Sequence, residues 1–292
     1  MTPPSGAHAI LAHYFCGPGF PPAQGALTVD EWQRGLDAYG TRLISANEWI
    51  ARCLAGTLED AVTITFDDGL LEAYVLAKPA LDRRGLTAAW NVYTGPYVGV
   101  PNGLERARWL RNHAFGSVEG FYDAIERQIG YGPAPLEYLS DRGYLSHRDR
   151  HFRYWRDREA TPAEYEAVID LLARSANVPA RSNWMAPEDL RDLASAGHVI
   201  GIHTHSHPTN LDDLSHEHQA LEYATAREIL DRLVLQWSVR RTTTVSHPCG
   251  RVSDWGLEWL REHGFTLGWG ATMDGTAPWT TPRWSTGYWR ST

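Results

Sequence analysis

Residues 62–94 read as strand, helix and strand in succession. VTITF (62–66) alternates Val62, Ile64 and Phe66 on one side with threonines on the other. LLEAYVLAKPALDRRG follows at helical spacing and is ended by Gly85, and TAAWNVYTG is a second strand. Strand, helix and strand within about 30 residues form a βαβ unit, whose crossover makes the two strands parallel. A chain with this unit is committed to a parallel sheet or barrel with helices on its faces.

The same rhythm runs through most of the chain. AILAHYF (9–15) reads as a strand, and Thr28 with Glu31 three residues on is a capping box for a helix that carries Leu36 and Tyr39. PEDLRDLASAG places Pro187 at a helix start and Gly197 at its end. HVIGIH follows as a strand, and a long helix covers 216–234 with Tyr223, Ala226, Leu230 and Leu233 on one face. TTVSH, GLEWLREHG and FTLGWGAT continue as strand, helix and strand. Residues 96–182 break the pattern with mainly helical spacing. The expectation is one α/β domain over 1–292 with a helical insertion at 96–182.

Two clusters carry chemistry. VTITFDDG ends a strand in adjacent carboxylates, Asp67 and Asp68. GHVIGIHTHSHP ends another in His203, His205 and His207. Both lie at the C-terminal ends of parallel strands, the face on which such folds gather their sites. If the chain curls after His203, then His203 and His207 converge while His205 turns aside. Two imidazoles and one carboxylate suit zinc or another divalent metal and leave positions open. Neighbouring strand residues point in different directions, so Asp68 can ligate while Asp67 stays free to take a proton. The plain alternative is a pair of solvated strand ends.

TFDDG followed by GHVIGIHTHSH resembles the first two motifs of the NodB-like polysaccharide deacetylases, carbohydrate esterase family 4. The resemblance spans 9–95 and 183–285 and implies a deformed (β/α) barrel. It implies Asp67 as catalytic base, and Asp68, His203 and His207 as ligands of a divalent metal: zinc first, with cobalt, nickel or iron as alternatives. The implied partner is a small molecule or glycan bearing an N-acetyl group. SHPCG stands where the family often has Arg-x-Pro-Tyr, with Ser246 for the arginine and Cys249 for the tyrosine. A backbone N–H survives that change, so Cys249 retains the implied oxyanion donor. Arg283 in TTPRWST is the implied replacement for the arginine that pairs with the catalytic aspartate. The family's late acid histidine has no match; His205, His247, a substrate group or solvent is left to protonate the leaving amine. His13 aligns with a Tyr-His-like segment as a pocket residue or a buried histidine.

Other features bound the reading. A formal charge of −8 over 292 residues argues against nucleic acid as the main partner. No run approaches the roughly 18 apolar residues of a membrane span. MTPPSGAHAILAHYF lacks a secretion-signal pattern, so the expected compartment is cytoplasmic and the expected substrate a sugar nucleotide, lipid-linked sugar or small glycoside. Cys16, Cys53 and Cys249 are too few and too far apart for a disulfide framework or a thiolate zinc site. Residues 141–159 hold six arginines against four acidic residues, which suits either a rim for an anionic substrate or a helix face crossed by ion pairs. Six tryptophans lie between Trp255 and Trp289, and Trp269 is the candidate sugar platform among them. Rival readings are an amide or imide hydrolase of the same fold, a non-haem iron oxygenase, and an inactive carbohydrate-binding relative.

Overall fold

A computed structural model describes residues 6–23, 25–100, 103–130, 132–140, 143, 145–177, 183–234, 242–270 and the backbone of 288–290. Its strands are β1 His8–Ala12, β2 Phe15–Cys16, β3 Leu27–Thr28, β4 Val62–Phe66, β5 Ala89–Val92, β6 Val199–Ile202, β7 Thr244–Ser246, β8 Leu267–Trp269 and β9 Tyr288–Arg290. Seven form one sheet in the order β1-β4-β5-β6-β7-β8-β9. All neighbours are parallel except the last pair, in which Gly268 faces Trp289 in antiparallel register. The sheet curls into a half-barrel with helices around it, a deformed (β/α) barrel of the NodB type. β2 and β3 pair with each other alone.

The chain divides into two compact units, residues 1–101 with 182–292, and residues 102–181. In the first, strand alternation separates two cores. One face of the sheet sends Ile64, Phe66, Trp90, Ile202 and Val245 into a large core with helical residues such as Trp32, Leu36, Leu190, Tyr223 and Leu230. The other face buries Ala9, Ala89, Leu267 and Trp269 against Ala46 and Trp49 of the helix Ala46–Ala55. Burial of side chains this large contributes roughly 1.5–3 kcal/mol each. Trp269 is therefore a core residue: its ring lies 5.2 Å from that of Trp49 and is 3% exposed, which corrects its expected place as a sugar platform.

Local chemistry sets the element ends. Thr28 and Glu31 form the capping box, and the helix Val29–Tyr39 buries Trp32, Leu36 and Tyr39. The expected strand 9–15 stops at Ala12 and resumes as β2, so His13 and Tyr14 leave the sheet at its C-terminal edge. The helical stretch after β4 is two short helices, Leu71–Leu76 and Lys78–Asp82, because Pro79 cannot donate to the preceding turn.

The second unit is helical, with Gly103–His113, Val118–Ile129, His147–Tyr154 and Pro162–Ser175 around Phe121, Tyr122, Ile125, Phe152 and Ile169. Several of its arginines are held by ion pairs inside the unit. Arg148 bonds Glu119, Asp123 and Glu126; Arg106 bonds Asp170; Arg156 bonds Asp157. Among the described arginines of 141–159, Arg148 and Arg156 thus follow the ion-pair reading and not the substrate-rim one. No helix of the described residues is long and apolar enough to cross a membrane.

Candidate metal centre

The turn after β4 separates the two aspartates. Asp67 continues the strand alternation onto the concave face, opposite Phe66. Asp68 then adopts φ 69° and Gly69 φ 66°, which turns the chain out of the strand. Asp tolerates this left-handed region better than most residues, because its short polar side chain bonds locally. The two neighbouring carboxylates consequently serve different partners.

Asp68 meets the histidines. Its Oδ1 lies 3.4 Å from His203 Nε2 and 3.2 Å from His207 Nε2, and those nitrogens are 3.1 Å apart. One ligand atom from each residue falls within 4.8 Å of the others. His203 follows β6 and its Nδ1 donates to the carbonyl of Ser246 at 2.8 Å, which turns the Nε2 lone pair toward Asp68. His207 arrives through a turn in which Thr204 (φ 63°) and His207 itself (φ 57°) are left-handed. His207 also meets Tyr93 edge-on at 5.6 Å. Of the seven non-glycine residues at positive φ among the described residues, Asp68, Thr204, His207 and Cys249 belong to the loops at this end of the sheet, so backbone strain concentrates at the site.

Asp67 has its own support. Its Oδ1 accepts from Asn91 Nδ2 at 2.9 Å and its Oδ2 from Ser246 Oγ at 2.8 Å. Ser246, at the position where the related motif has arginine, thus reaches the aspartate as a neutral donor. Neither Asn91 nor this bond was expected from the sequence. The available signal was one amide in the apolar strand AWNV, on the same alternation as the aspartate-bearing face.

The field of the site is negative and calls for a cation. Burial by itself would raise the Asp68 carboxyl, but bonds from His203 and His207 hold it well below the usual range. Burial by itself would lower His203, but the charges of Asp67 and Asp68 and the Ser246 carbonyl lift it to about 9. A proton on His203 therefore does what a bound cation would do. Two imidazole nitrogens, that of His203 oriented by the Ser246 carbonyl, and a carboxylate oxygen converge on one point and fit a divalent metal with open positions.

The remaining expected residues are placed as follows. His13 Nε2 lies 3.9 Å from Asp68 Oδ2, while His203 and His207 meet the other carboxylate oxygen, and its side chain is 25% exposed. His205 stands aside from the ligand group, with its Nδ1 paired to Thr94 Oγ1 at 2.9 Å. His247 is buried, with Tyr223 OH 3.4 Å from its Nδ1; desolvation and then the charge of His203 push it down to about 3. An imidazole held neutral keeps only a very weakly acidic N–H, which argues against His247 as the acid. Cys249 is exposed at φ 55° in the turn Pro248–Gly250 after β7. Arg283 lies outside the described residues.

Gly201 makes the Asp67 support possible. A Cβ there would fall 2.4 Å from Asn91 Oδ1 and 2.6 Å from Thr244 Oγ1, both buried atoms without a hydrogen-bond partner among the described residues. Gly201→Ala is expected to displace Asn91 from Asp67 and to cost about 1–3 kcal/mol by overpacking. Thermal unfolding and turnover of the variant check this; an unchanged melting temperature and rate would mean that the strand yields without disturbing Asn91.

The polysaccharide deacetylase family model matches residues 161–268. No curated protein sequence matches the chain. Among solved structures, the deacetylase PplD of Streptococcus pyogenes in complex with acetate has TM-score 0.51 at 15% identity, over 92% of this chain and 87% of that one. IcaB of Ammonifex degensii has TM-score 0.53 at 18% identity, over 91% and 84%. The BpsB deacetylase domain of Bordetella bronchiseptica has TM-score 0.50 at 14% identity, over 92% and 90%. At such identities the structural likeness speaks to the fold, and the family match covers the segment that carries His203 and His207. The chain is thus similar to the polysaccharide deacetylases over residues 161–268 and shares the fold of these deacetylase structures.

Proposed function

We propose that the protein is a metal-dependent N-deacetylase that hydrolyses the acetamido group of an N-acetylated sugar. The observation that carries this is the convergence of Asp68, His203 and His207 within 4.8 Å beside a separately held Asp67. Asp68, His203 and His207 would hold the metal, most suitably zinc, which supplies Lewis acidity toward an acyl oxygen. Asp67 accepts the proton of the attacking water, and Asn91 and Ser246 keep both its oxygens oriented while it does so. The Cys249 N–H is the proposed donor to the developing oxyanion. A C–O bond forms, the C–N bond breaks, and acetate and a free amino sugar result.

The leaving amine needs a proton, and His13 is the group assigned to give it. It is partly open to solvent and lies beside the carboxylate that anchors the ligands, whereas His205 is paired with Thr94 and His247 is held neutral. His13→Ala is expected to lower kcat about 100-fold, the low end of the range for a general acid, while metal binding persists. An unchanged kcat across pH would move the role to solvent or substrate.

The function itself is tested by acetate release from the zinc-reconstituted protein. The panel holds UDP-N-acetylhexosamines, small N-acetylglucosaminides and a short chitin oligomer, which spans sugar nucleotide, glycoside and polymer. Turnover on one of these is the expected result. Silence across all of them with zinc bound would favour the inactive carbohydrate-binding reading.

A further inference from the structure

We propose that Glu222 is a positioning residue for the metal centre: its carboxylate is the core around which the turn between the two histidine ligands is wound. Glu222 lies in the helix His216–Val234, outside both sequence motifs. Its Oε2 accepts from the backbone N–H groups of His205 at 2.9 Å and Ser206 at 2.8 Å, and its Oε1 accepts from Ser206 Oγ at 2.6 Å. Successive N–H groups directed at one anion form a nest. Here the anion belongs to the protein, and the nest is the segment that joins His203 to His207.

The turn has a reason to need this anchor. A five-residue stretch whose first and last side chains meet at one point cannot stay extended, and this one bends through Thr204 at φ 63° and His207 at φ 57°. A β-branched residue in the left-handed region is strained and persists only where its surroundings over-determine it. The surroundings do so from two sides. On one side Thr94 N–H donates to the carbonyl of Thr204 at 3.3 Å and Gly95 N–H to that of His205 at 2.8 Å. On the other side the N–H groups of 205 and 206 have Glu222 as their acceptor. Without the carboxylate those donors lose their partner and the strained turn loses half of its fixation. The 3.1 Å approach of the two Nε2 atoms is the feature that would relax. Gly95 is held to the same end: a Cβ there would meet the carbonyl oxygen of Val100 at 2.3 Å and that of His205 at 3.2 Å.

This inference rests on the metal-centre reading, and the experiment separates the two. Cobalt(II) is titrated into the metal-free wild type, Glu222→Gln and Glu222→Ala, with visible absorbance as the readout and metal-free melting temperatures measured alongside. Loss of an outer partner of a metal ligand typically weakens binding about 10–100-fold, and Glu222→Ala is expected in that range. Glu222→Gln keeps the oxygen that both backbone N–H groups reach and turns its NH2 toward Ser206 Oγ, which can accept, so it removes the negative charge from the nest and its affinity should fall between the other two, with an altered cobalt spectrum. A purely structural role would lower the melting temperatures and leave the dissociation constants and spectra unchanged. Dissociation constants within about twofold of wild type for both variants overturn the proposal, against the 10–100-fold expected. If Glu222→Ala does not fold, the near-isosteric Gln variant decides alone. A wild type that takes up no cobalt overturns the metal centre and this inference together. Cobalt bound without acetate release from any substrate, with the Glu222 variants weakened, sinks the deacetylase reading and leaves the inference standing.

Discussion

Asp67→Asn is expected to keep the fold and the metal and to lower turnover by about 10²–10⁴-fold, the usual contribution of a general base. The hydrogen bonds make this substitution unusually clean. Asp67 accepts from Asn91 Nδ2 on one oxygen and from Ser246 Oγ on the other. An asparagine can keep its oxygen toward Asn91 and turn its NH2 toward Ser246, because a serine hydroxyl accepts as well as donates. No buried polar atom is left without a partner, so the change keeps the hydrogen bonding and removes the carboxylate's basicity together with its charge beside His203. Acetate release and cobalt titration on the same preparation check it. Lost turnover with cobalt still bound within about tenfold of wild type assigns the proton transfer to Asp67. Retained turnover would remove Asp67 as base, and lost metal would mean that its charge is part of the ligand field.

Ser246 gives that prediction a second use. A guanidinium beside a catalytic carboxylate contributes charge as well as orientation, whereas Ser246 and Asn91 contribute orientation alone. The concave face leaves room for these short donors because Gly201 has no side chain between Asn91 and Thr244. An arginine at 246 would have to share that space.

The legible parts of this molecule are those encoded by local spacing. Two aspartates at a strand end and histidines four apart are adjacent in sequence, so their elements and their face of the sheet follow from alternation and the βαβ rule. The capping box at Thr28 and the helix over 216–234 are local in the same sense. What escaped the sequence depends on register between distant strands. Ser246 and Asp67 are 179 residues apart, and Asn91 and Asp67 are 24 apart. They meet because β5 pairs with β4 and β6 pairs with β7 on one curled face. Trp269 shows the opposite failure. A tryptophan near the end of a deacetylase-like chain suggests a sugar platform, yet its strand alternation sends it to the buried layer beneath the polar one, against Trp49. Glu222 carried no signal at all, since an acidic residue on a long helix reads as a solvated face.

On the proposed metal-centre reading, the affinity of the protein for a divalent metal is expected to rise about tenfold per pH unit between about pH 7 and about pH 9, then level off. The cause is His203. Its metal-free form is held protonated up to about 9, chiefly by Asp67 and Asp68 against the opposing effect of burial. Only the neutral imidazole ligates, so metal must displace that proton, and the competition weakens as pH climbs to the folded-state value. The same shift acts on stability. An unfolded histidine titrates near 6.5, so the raised value stabilises the metal-free fold fully below that pH, and the contribution is lost as pH rises through about 9. A shift of this size corresponds to about 3 kcal/mol at most, since each unit is worth about 1.4 kcal/mol. The metal-free protein should therefore melt at progressively lower temperature over that window, while the loaded protein, whose cation takes the place of the proton, should not. Competition titrations with a chelator of known pH dependence, paired with melting curves of both forms, measure the two effects independently. A flat affinity profile with flat melting of the metal-free protein would mean that His203 is already neutral beside Asp67 and Asp68. The cation would then have to be bound without releasing a proton, and the field that brings His203, Asp67 and Asp68 together would need another source of positive charge.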